Sequence, residues 1–235
     1  MLKTVWFVSL GPGDPELITL KGLKALQQAG TIFCPSTIAP NGKSISRAKD
    51  ILLALNIDED KITTFEVPMN KDRTKALESY KEISEKIATK YKDGFQIAVT
   101  AEGDAGFYSS SHYIGDNLER MNIPTSRIAG VPAFITCGAL ANLHIAKQEE
   151  ELNVIPGVIS QEELTEKINA GKSVVVMKPS QCEEVIKNTI KNLPDITLYY
   201  FENVGLSGKE FYTCNNSDIL SRKFPYFSLL IIRKD

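Results

Sequence analysis

Between Val5 and Ala101 short apolar runs alternate with stretches of helical period, and this alternation restricts the chain to a largely parallel sheet with helices on its faces. Thr4 to Leu10 reads as a strand. Leu17 to Gln28 reads as a helix whose Leu17, Leu20, Leu23 and Leu26 repeat at helical spacing until Gly30 stops it. A strand from Thr31 to Cys34, a helix from Ser44 to Leu55, a strand from Ile62 to Val67, a charged helix from Asp72 to Tyr91 and a strand from Phe95 to Ala101 continue the pattern. A further helix is expected from Tyr108 to Arg120.

The polar segment Asn122-Ile123-Pro124 then marks the expected domain boundary, giving an N-terminal lobe over 1–124 and a C-terminal lobe over 125–235. The second half has a different texture. Helices are expected near Pro132 to Leu143, Gln161 to Ala170 and Cys182 to Asn192, with strands at Ser173 to Met177, Thr197 to Glu202, Glu210 to Thr213 and Tyr226 to Arg233. No helix separates the last three strands in this reading, so antiparallel pairing and a mixed sheet are expected there. The expected fold class is α/β, with two α/β lobes and a ligand cleft between them.

Composition enters as exclusion. A 235-residue chain that is 43% hydrophobic can bury a substantial core. Its formal net charge of -2 gives no global field for nucleic acid or an anionic membrane, so anionic ligands must be met by local charges. No apolar run approaches the roughly 18 residues of a membrane span, and Val5 to Val8 reads as a buried strand rather than a signal peptide. The 4 cysteines, Cys34, Cys137, Cys182 and Cys214, lack metal-site spacing, and no metal is expected. They read as reduced thiols packed as small apolar side chains, which fits a cytoplasmic setting.

Three segments could carry chemistry. Gly11-Pro12-Gly13-Asp14-Pro15 follows the first strand; its glycines permit angles that a Cβ forbids, and its prolines stiffen the turn. In Thr100 to Ser111 an apolar strand runs into the acidic, glycine-containing turn Glu102-Gly103-Asp104-Ala105-Gly106, followed by Phe107, Tyr108 and three serines. That is the anatomy of a site at the carboxyl end of a strand, although Asp104 could equally serve as a plain helix cap. Ala129-Gly130-Val131-Pro132-Ala133 and Val175-Val176-Met177-Lys178-Pro179 each break an apolar run. There is no GxxxxGK[ST] loop, no GxGxxG between strand and helix and no GxSxG elbow, so the ordinary nucleotide, dinucleotide and hydrolase fingerprints do not apply. His112 and His144 are the only histidines, and neither completes a catalytic triad.

In order along the chain, GPGDPELITLKGLKAL, Cys34-Pro35, EGDAGFYSSS, AGVPAF, VVVMKP and PYFSLLIIRK resemble the tetrapyrrole methylase family. GDPELITLK, FYSS, MKP, Tyr200-Phe201-Glu202 and Tyr226-Phe227-Ser228-Leu229 are most similar to the members that methylate C20 of precorrin-2 or of cobalt-factor II in cobalamin biosynthesis. The resemblance implies S-adenosylmethionine as methyl donor, a tetrapyrrole substrate and a homodimer, with neither nucleic acid nor membrane as partner. It implies cofactor contacts from Pro12, Gly103, Asp104, Phe107, Tyr108, Ser109 or Ser110, and Met177. Ala133, Asn203, Tyr226, Phe227 and Ser228 would close the pocket.

Methyl transfer from a sulfonium to an electron-rich carbon needs no protein nucleophile. Positioning and an apolar wall from Phe107 and Met177 would supply much of the acceleration. Asp104 is expected to assist loss of the proton, with Tyr200 and Lys178 as polar partners of the substrate. Lys43, Arg47, Lys71, Arg73 and Lys178 are candidates for a basic rim facing the substrate's carboxylates. Two departures stand out: Gly103-Asp104-Ala105 where the family usually has Gly-Asp-Pro, and Ala129-Gly130 where it usually has Pro-Gly. They leave open a member that binds the cofactor with lost or altered turnover, beside a methyltransferase of the same fold with another substrate and a nucleotide-binding module.

Overall fold

The computed structural model describes residues 4–39, 42–68 and 73–234, and they form an α/β protein of two compact units that divide between Pro132 and Ala133. The first unit contains β1 (Val5–Ser9), α1 (Leu20–Gln28), β2 (Thr31–Ile38), β3 (Ser44–Ile45), α2 (Arg47–Ala54), β4 (Ile62–Glu66), α3 (Thr74–Lys92), β5 (Ile97–Ala101), α4 (His112–Arg120) and β6 (Thr125–Ile128). Its sheet runs β3-β2-β5-β1-β6, with β4 also paired to β2; every pairing is parallel except that of the short β3.

Alternation along the strands sends successive side chains to opposite faces. Val5, Phe7, Phe33 and Val99 pack with Tyr80, Ile83 and Ile87 of α3 and Ile114 and Leu118 of α4. Val8, Ile32, Ala98 and Ile128 pack with Ala25 and Leu26 of α1 and Ile51 and Leu52 of α2. Each fully buried aliphatic or aromatic side chain contributes roughly 1.5–3 kcal/mol, so both faces need their helices.

The second unit contains α5 (Ala133–Leu140), β7 (Leu152–Ile155), α6 (Gln161–Asn169), β8 (Ser173–Met177), α7 (Glu183–Asn192), β9 (Ile196–Glu202), β10 (Phe211–Thr213), α8 (Asn216–Ser221) and β11 (Ser228–Lys234). Its sheet order is β10-β9-β11-β8-β7, parallel only between β7 and β8, and therefore mixed. Val174, Val176, Leu198, Tyr200, Leu230 and Ile232 pack on Leu164 and Ile168 of α6 and Ile186 and Ile190 of α7.

Several sequence expectations shift. The boundary expected at 124 moves because β6 pairs in parallel with β1, Phe7 opposite Arg127, and so belongs to the first sheet. Asn122 takes a left-handed φ of 56° and turns the chain directly into that strand. The first helix starts at Leu20 because Asp14 caps a separate 3-10 turn at Pro15–Leu17. The second starts at Arg47 because Ser44–Ile45 pairs with β2. The helix expected from Tyr108 begins at His112. A helix, α8, does lie between β10 and β11, capped by Asn215, and those strands reach antiparallel partners all the same.

All four cysteines are free; Cys34, Cys137 and Cys182 are buried as expected, whereas Cys214 is exposed. Burial pushes the Cys34 and Cys182 thiols up to about 11, and raises Cys137 as well. Since the thiolate is the reactive form, a disulfide reagent at neutral pH should label one thiol quickly, at Cys214, and the other three only on unfolding. Rapid labelling of two or more in the folded protein would contradict this burial. No helix among the described residues is long and apolar enough to cross a membrane.

Candidate functional site

The first sheet has its topological switch point between β1 and β5. These neighbours are parallel, with Ser9 level with Ala101, yet β1 leads to α1 on one face and β5 to α4 on the other. In open α/β sheets a ligand binds outside the carboxyl ends of strands whose connections diverge in this way. The two turns leaving that point are Gly11 to Pro15 and Glu102 to Ser111, the segments singled out in the sequence.

Their backbones fasten to each other. Leu10 N donates to Ala101 O (2.9 Å), Gly11 N to Gly103 O (3.1 Å) and Gly103 N to Gly11 O (2.7 Å). Gly11 and Gly103 take φ of 79° and 69°, a region where a Cβ is costly. A Cβ built on Gly103 would meet nothing within 4 Å, so this bare stretch of backbone faces open space that a ligand can use.

Asp104 ties in the third turn, after β6. Its Oδ1 accepts from Gly106 N (2.8 Å) and its Oδ2 from Gly130 N (2.7 Å). Ser9, completely buried, completes the knot: its Oγ donates to Ile128 O (2.6 Å) and accepts from Ala105 N (2.8 Å). Thr19 caps α1 by accepting from Gly22 N (3.1 Å), and its hydroxyl donates to Ala129 O (3.2 Å). Sequence reasoning missed Ser9 and Thr19. Thr19 carried a signal, a hydroxyl one residue before a helix; Ser9, inside an apolar strand, carried none.

These contacts revise the role of Asp104. Both carboxylate oxygens already accept backbone hydrogens, so it positions the turns instead of waiting as a free base. They also account for Ala105, because a proline there would have no N–H for the Ser9 hydroxyl.

The other expected residues of this unit lie on the turns after β1 and β5. Pro12 is buried; the Phe107 and Tyr108 rings meet edge to face at 4.6 Å; Ser109 Oγ lies 2.9 Å from Ser111 Oγ, and Ser110 is exposed. Beside them Glu102, which sequence reasoning did not single out, pairs with Arg47 at 3.7 Å. Burial pushes the Glu102 carboxyl up and the Arg47 guanidinium down, and each charge partly offsets the other's penalty. Arg47 is therefore half of an internal pair, not an open rim charge. Arg73 lies over the Tyr113 ring at 5.7 Å, Lys43 is exposed, and Lys71 falls outside the described residues.

The second unit brings its own expected residues to one sheet edge. Antiparallel pairing sets Met177 level with Leu229 and Glu202 level with Ser228, so the ends of β8 and β9 meet the start of β11. Asn203 N donates to Phe227 O (2.9 Å), and Lys178 Nζ sits 5.7 Å over the Tyr226 ring. Tyr226 and Phe227 are 38% and 42% exposed, while the Ser228 hydroxyl donates to Pro225 O. Gly157 packs beneath Met177, where a Cβ would come within 2.7 Å of Met177 O. Ala133, half-buried, opens α5.

Tyr200 does not join this edge. It is 0% exposed in the core, with its hydroxyl donating to Glu202 Oε1 (2.9 Å), which also accepts from Arg222 Nε (2.9 Å). Burial and the neighbouring carboxylate push the phenol's pKa up. A phenol with no exposed surface has no face to offer a substrate, and its expected partner role falls away.

Backbone strain marks the same two edges. Among the described residues the non-glycines with left-handed φ are Asn56, Tyr108, Asn122, Asn142, Lys178 and Asn203. Asparagine tolerates that conformation; the two exceptions, Tyr108 and Lys178, were both expected at the site. Each costs about 1–2 kcal/mol, and such strain persists where the surroundings impose it, as they do around ligand clamps.

A family model for tetrapyrrole (corrin/porphyrin) methylases matches residues 4–220. The precorrin-2 C(20)-methyltransferase of Sinorhizobium sp is 27% identical over 229 residues, with 96% of this chain and 93% of that protein covered. The cobalamin biosynthesis protein CobIJ of Mycobacterium tuberculosis is 29% identical over 242 residues, taking in 97% of this chain. The match covers 46% of that relative, so the chain spans about half its length. Among solved structures, a uroporphyrin-III C-methyl transferase from Thermus thermophilus complexed with S-adenyl homocysteine aligns with a TM-score of 0.66 at 15% identity, over 98% of this chain and 97% of that one. That likeness establishes a shared fold.

Proposed function

Because this chain belongs to the tetrapyrrole (corrin/porphyrin) methylase family, we propose that it transfers a methyl group from S-adenosylmethionine to a reduced tetrapyrrole on the cobalamin route, at C20 of precorrin-2 or of its cobalt-bearing counterpart. The observation that carries the reading is the fastening of three turns at the switch point of the first sheet, with the backbone of Gly103 open to a ligand. The C20 assignment draws on the Sinorhizobium relative and on the closing Tyr226-Phe227-Ser228 segment.

The residues present fit such a donor: unobstructed glycine backbone for a polar group, and the flat surfaces of Phe107 and Tyr108 for a ring. When bound, the donor supplies a methyl group on a positively charged sulfur. The chain's own contribution is positional. Within the first unit Ser9 and Asp104 hold the turns and Phe107 keeps water away; for the second, the resemblance implies a role for Met177 toward the donor and for Lys178 toward a substrate carboxylate. The resemblance adds Asn203, Ala133 and Ser228 as further donor contacts.

Two experiments bear on this. Incubation with S-adenosylmethionine and either precorrin-2 or cobalt-factor II, followed by mass spectrometry and carbon NMR of the pigment, should show one added methyl at C20. Binding of S-adenosylhomocysteine without transfer to either pigment would sink the methylation reading and favour a member with lost turnover, the alternative that Ala105 and Ala129 raise.

A second expectation concerns Gly103. In Gly103→Leu the left-handed φ should cost about 1–2 kcal/mol of stability, because a Cβ there meets no protein atom within 4 Å. It would occupy the ligand's space, so calorimetric affinity for S-adenosylhomocysteine should fall at least about tenfold, beyond what that loss of stability explains. Undiminished affinity would mean that the donor does not approach Gly103.

A further inference from the structure

The face of the first sheet covered by α1 carries a groove of about 370 Å³ that the methyl-transfer reading does not use. One wall is α1, with Lys21, Lys24 and Ala25; the other is the edge strand β6, with Ser126 and Ile128; Trp6 of β1 lies between them. Lys21 and Lys24 are three apart on a helix and so project from neighbouring positions. Both are exposed, and among the described residues neither has an ion-pair or hydrogen-bond partner. No carboxylate lines the groove. In a chain of net charge -2, this is a local concentration of uncompensated positive charge around a half-buried indole.

We propose that the groove is a second ligand site, for a flat aromatic compound carrying an anionic group such as a carboxylate, sulfonate or phosphate. The ring stacks on Trp6 and covers Ala25 and Ile128, while the anion lies between the two ammonium groups. The combination selects both features. A simple anion gains two exposed charges in water, which is little, and a neutral ring leaves the lysines unmatched.

Trp6 is the only tryptophan, so its emission reports on this groove. The experiment titrates the full chain with 1-anilinonaphthalene-8-sulfonate, alone and in saturating S-adenosylhomocysteine, and repeats the titration with K21Q/K24Q. Saturable quenching is expected, unaffected by S-adenosylhomocysteine, weakened by salt, and about tenfold weaker in the double variant. Inorganic phosphate should not reproduce it. Absence of saturable quenching, equal affinity in K21Q/K24Q, or displacement by S-adenosylhomocysteine would each overturn the proposal. Folding of the double variant is checked by an unchanged melting temperature, and K21E/K24E should weaken binding further. Because the readout is independent of methyl transfer, its failure leaves the reading of the first site untouched.

Discussion

Gly130→Ala is expected to abolish measurable binding of S-adenosylhomocysteine and to lower the melting temperature by roughly 5–25 °C, taking about 2–4 °C per kcal/mol for a chain of this size. The added Cβ would stand 2.4 Å from Ser9 Cβ and 2.9 Å from Gly103 O. Neither neighbour can yield. Ser9 is fully buried within a strand paired on both sides, and Gly103 O already accepts from Gly11 N. The turn after β6 would have to retreat, breaking the 2.7 Å bond from Gly130 N to Asp104 and straining the 2.6 Å bond from Ser9 Oγ to Ile128 O. Overpacking costs about 1–3 kcal/mol and a lost bond to a charged acceptor about 1.5–3 more. Thermal melting and calorimetry check this; an alanine variant with native stability and affinity would show that the three turns are not joined at this point.

The second large effect is at Asp104, where a graded series separates positioning from acid–base work. Asp104→Ala leaves the amides of Gly106 and Gly130 without their partner, and should cost about 2–5 kcal/mol and at least about a hundredfold in donor affinity. Asp104→Asn keeps one acceptor oxygen but turns an N–H toward the other amide, so an intermediate loss of stability and affinity is expected. A free general base would behave differently. Its asparagine variant would keep native melting temperature and donor affinity and lose turnover alone, and that pattern would overturn the positional role.

Much of this was legible in the residues, and the limits have physical causes. The βαβα alternation declared the first sheet because parallel strands such as Ile97–Ala101 are buried throughout and apolar but for one threonine. β6 escaped notice because an edge strand buries little: of Thr125, Ser126, Arg127 and Ile128 only the last is buried, so no apolar pattern announced it and the domain boundary was drawn too early. β7, a four-residue edge strand containing Asn153, was hidden for the same reason, and α8 is too short to display a period. At the site, the glycines and the Asp104 turn were conspicuous by composition. What Asp104 does depends on amides 2 and 26 residues away, and only the fold brings the second of these near. Likewise Tyr200 shares its sequence neighbourhood with expected site residues, but strand alternation points it into the core.

The central claim is that the turns after β1 and β5 hold the methyl donor. Hydrogen exchange on the full chain, with and without saturating S-adenosylhomocysteine, tests it at the amides concerned. Slowed exchange is predicted over Gly11 to Asp14 and Gly103 to Ser110, with the α1 surface at Lys21 to Gln28 unchanged. Tight binding that leaves both turns exchanging at their free rates, with protection elsewhere in the chain, would contradict the claim.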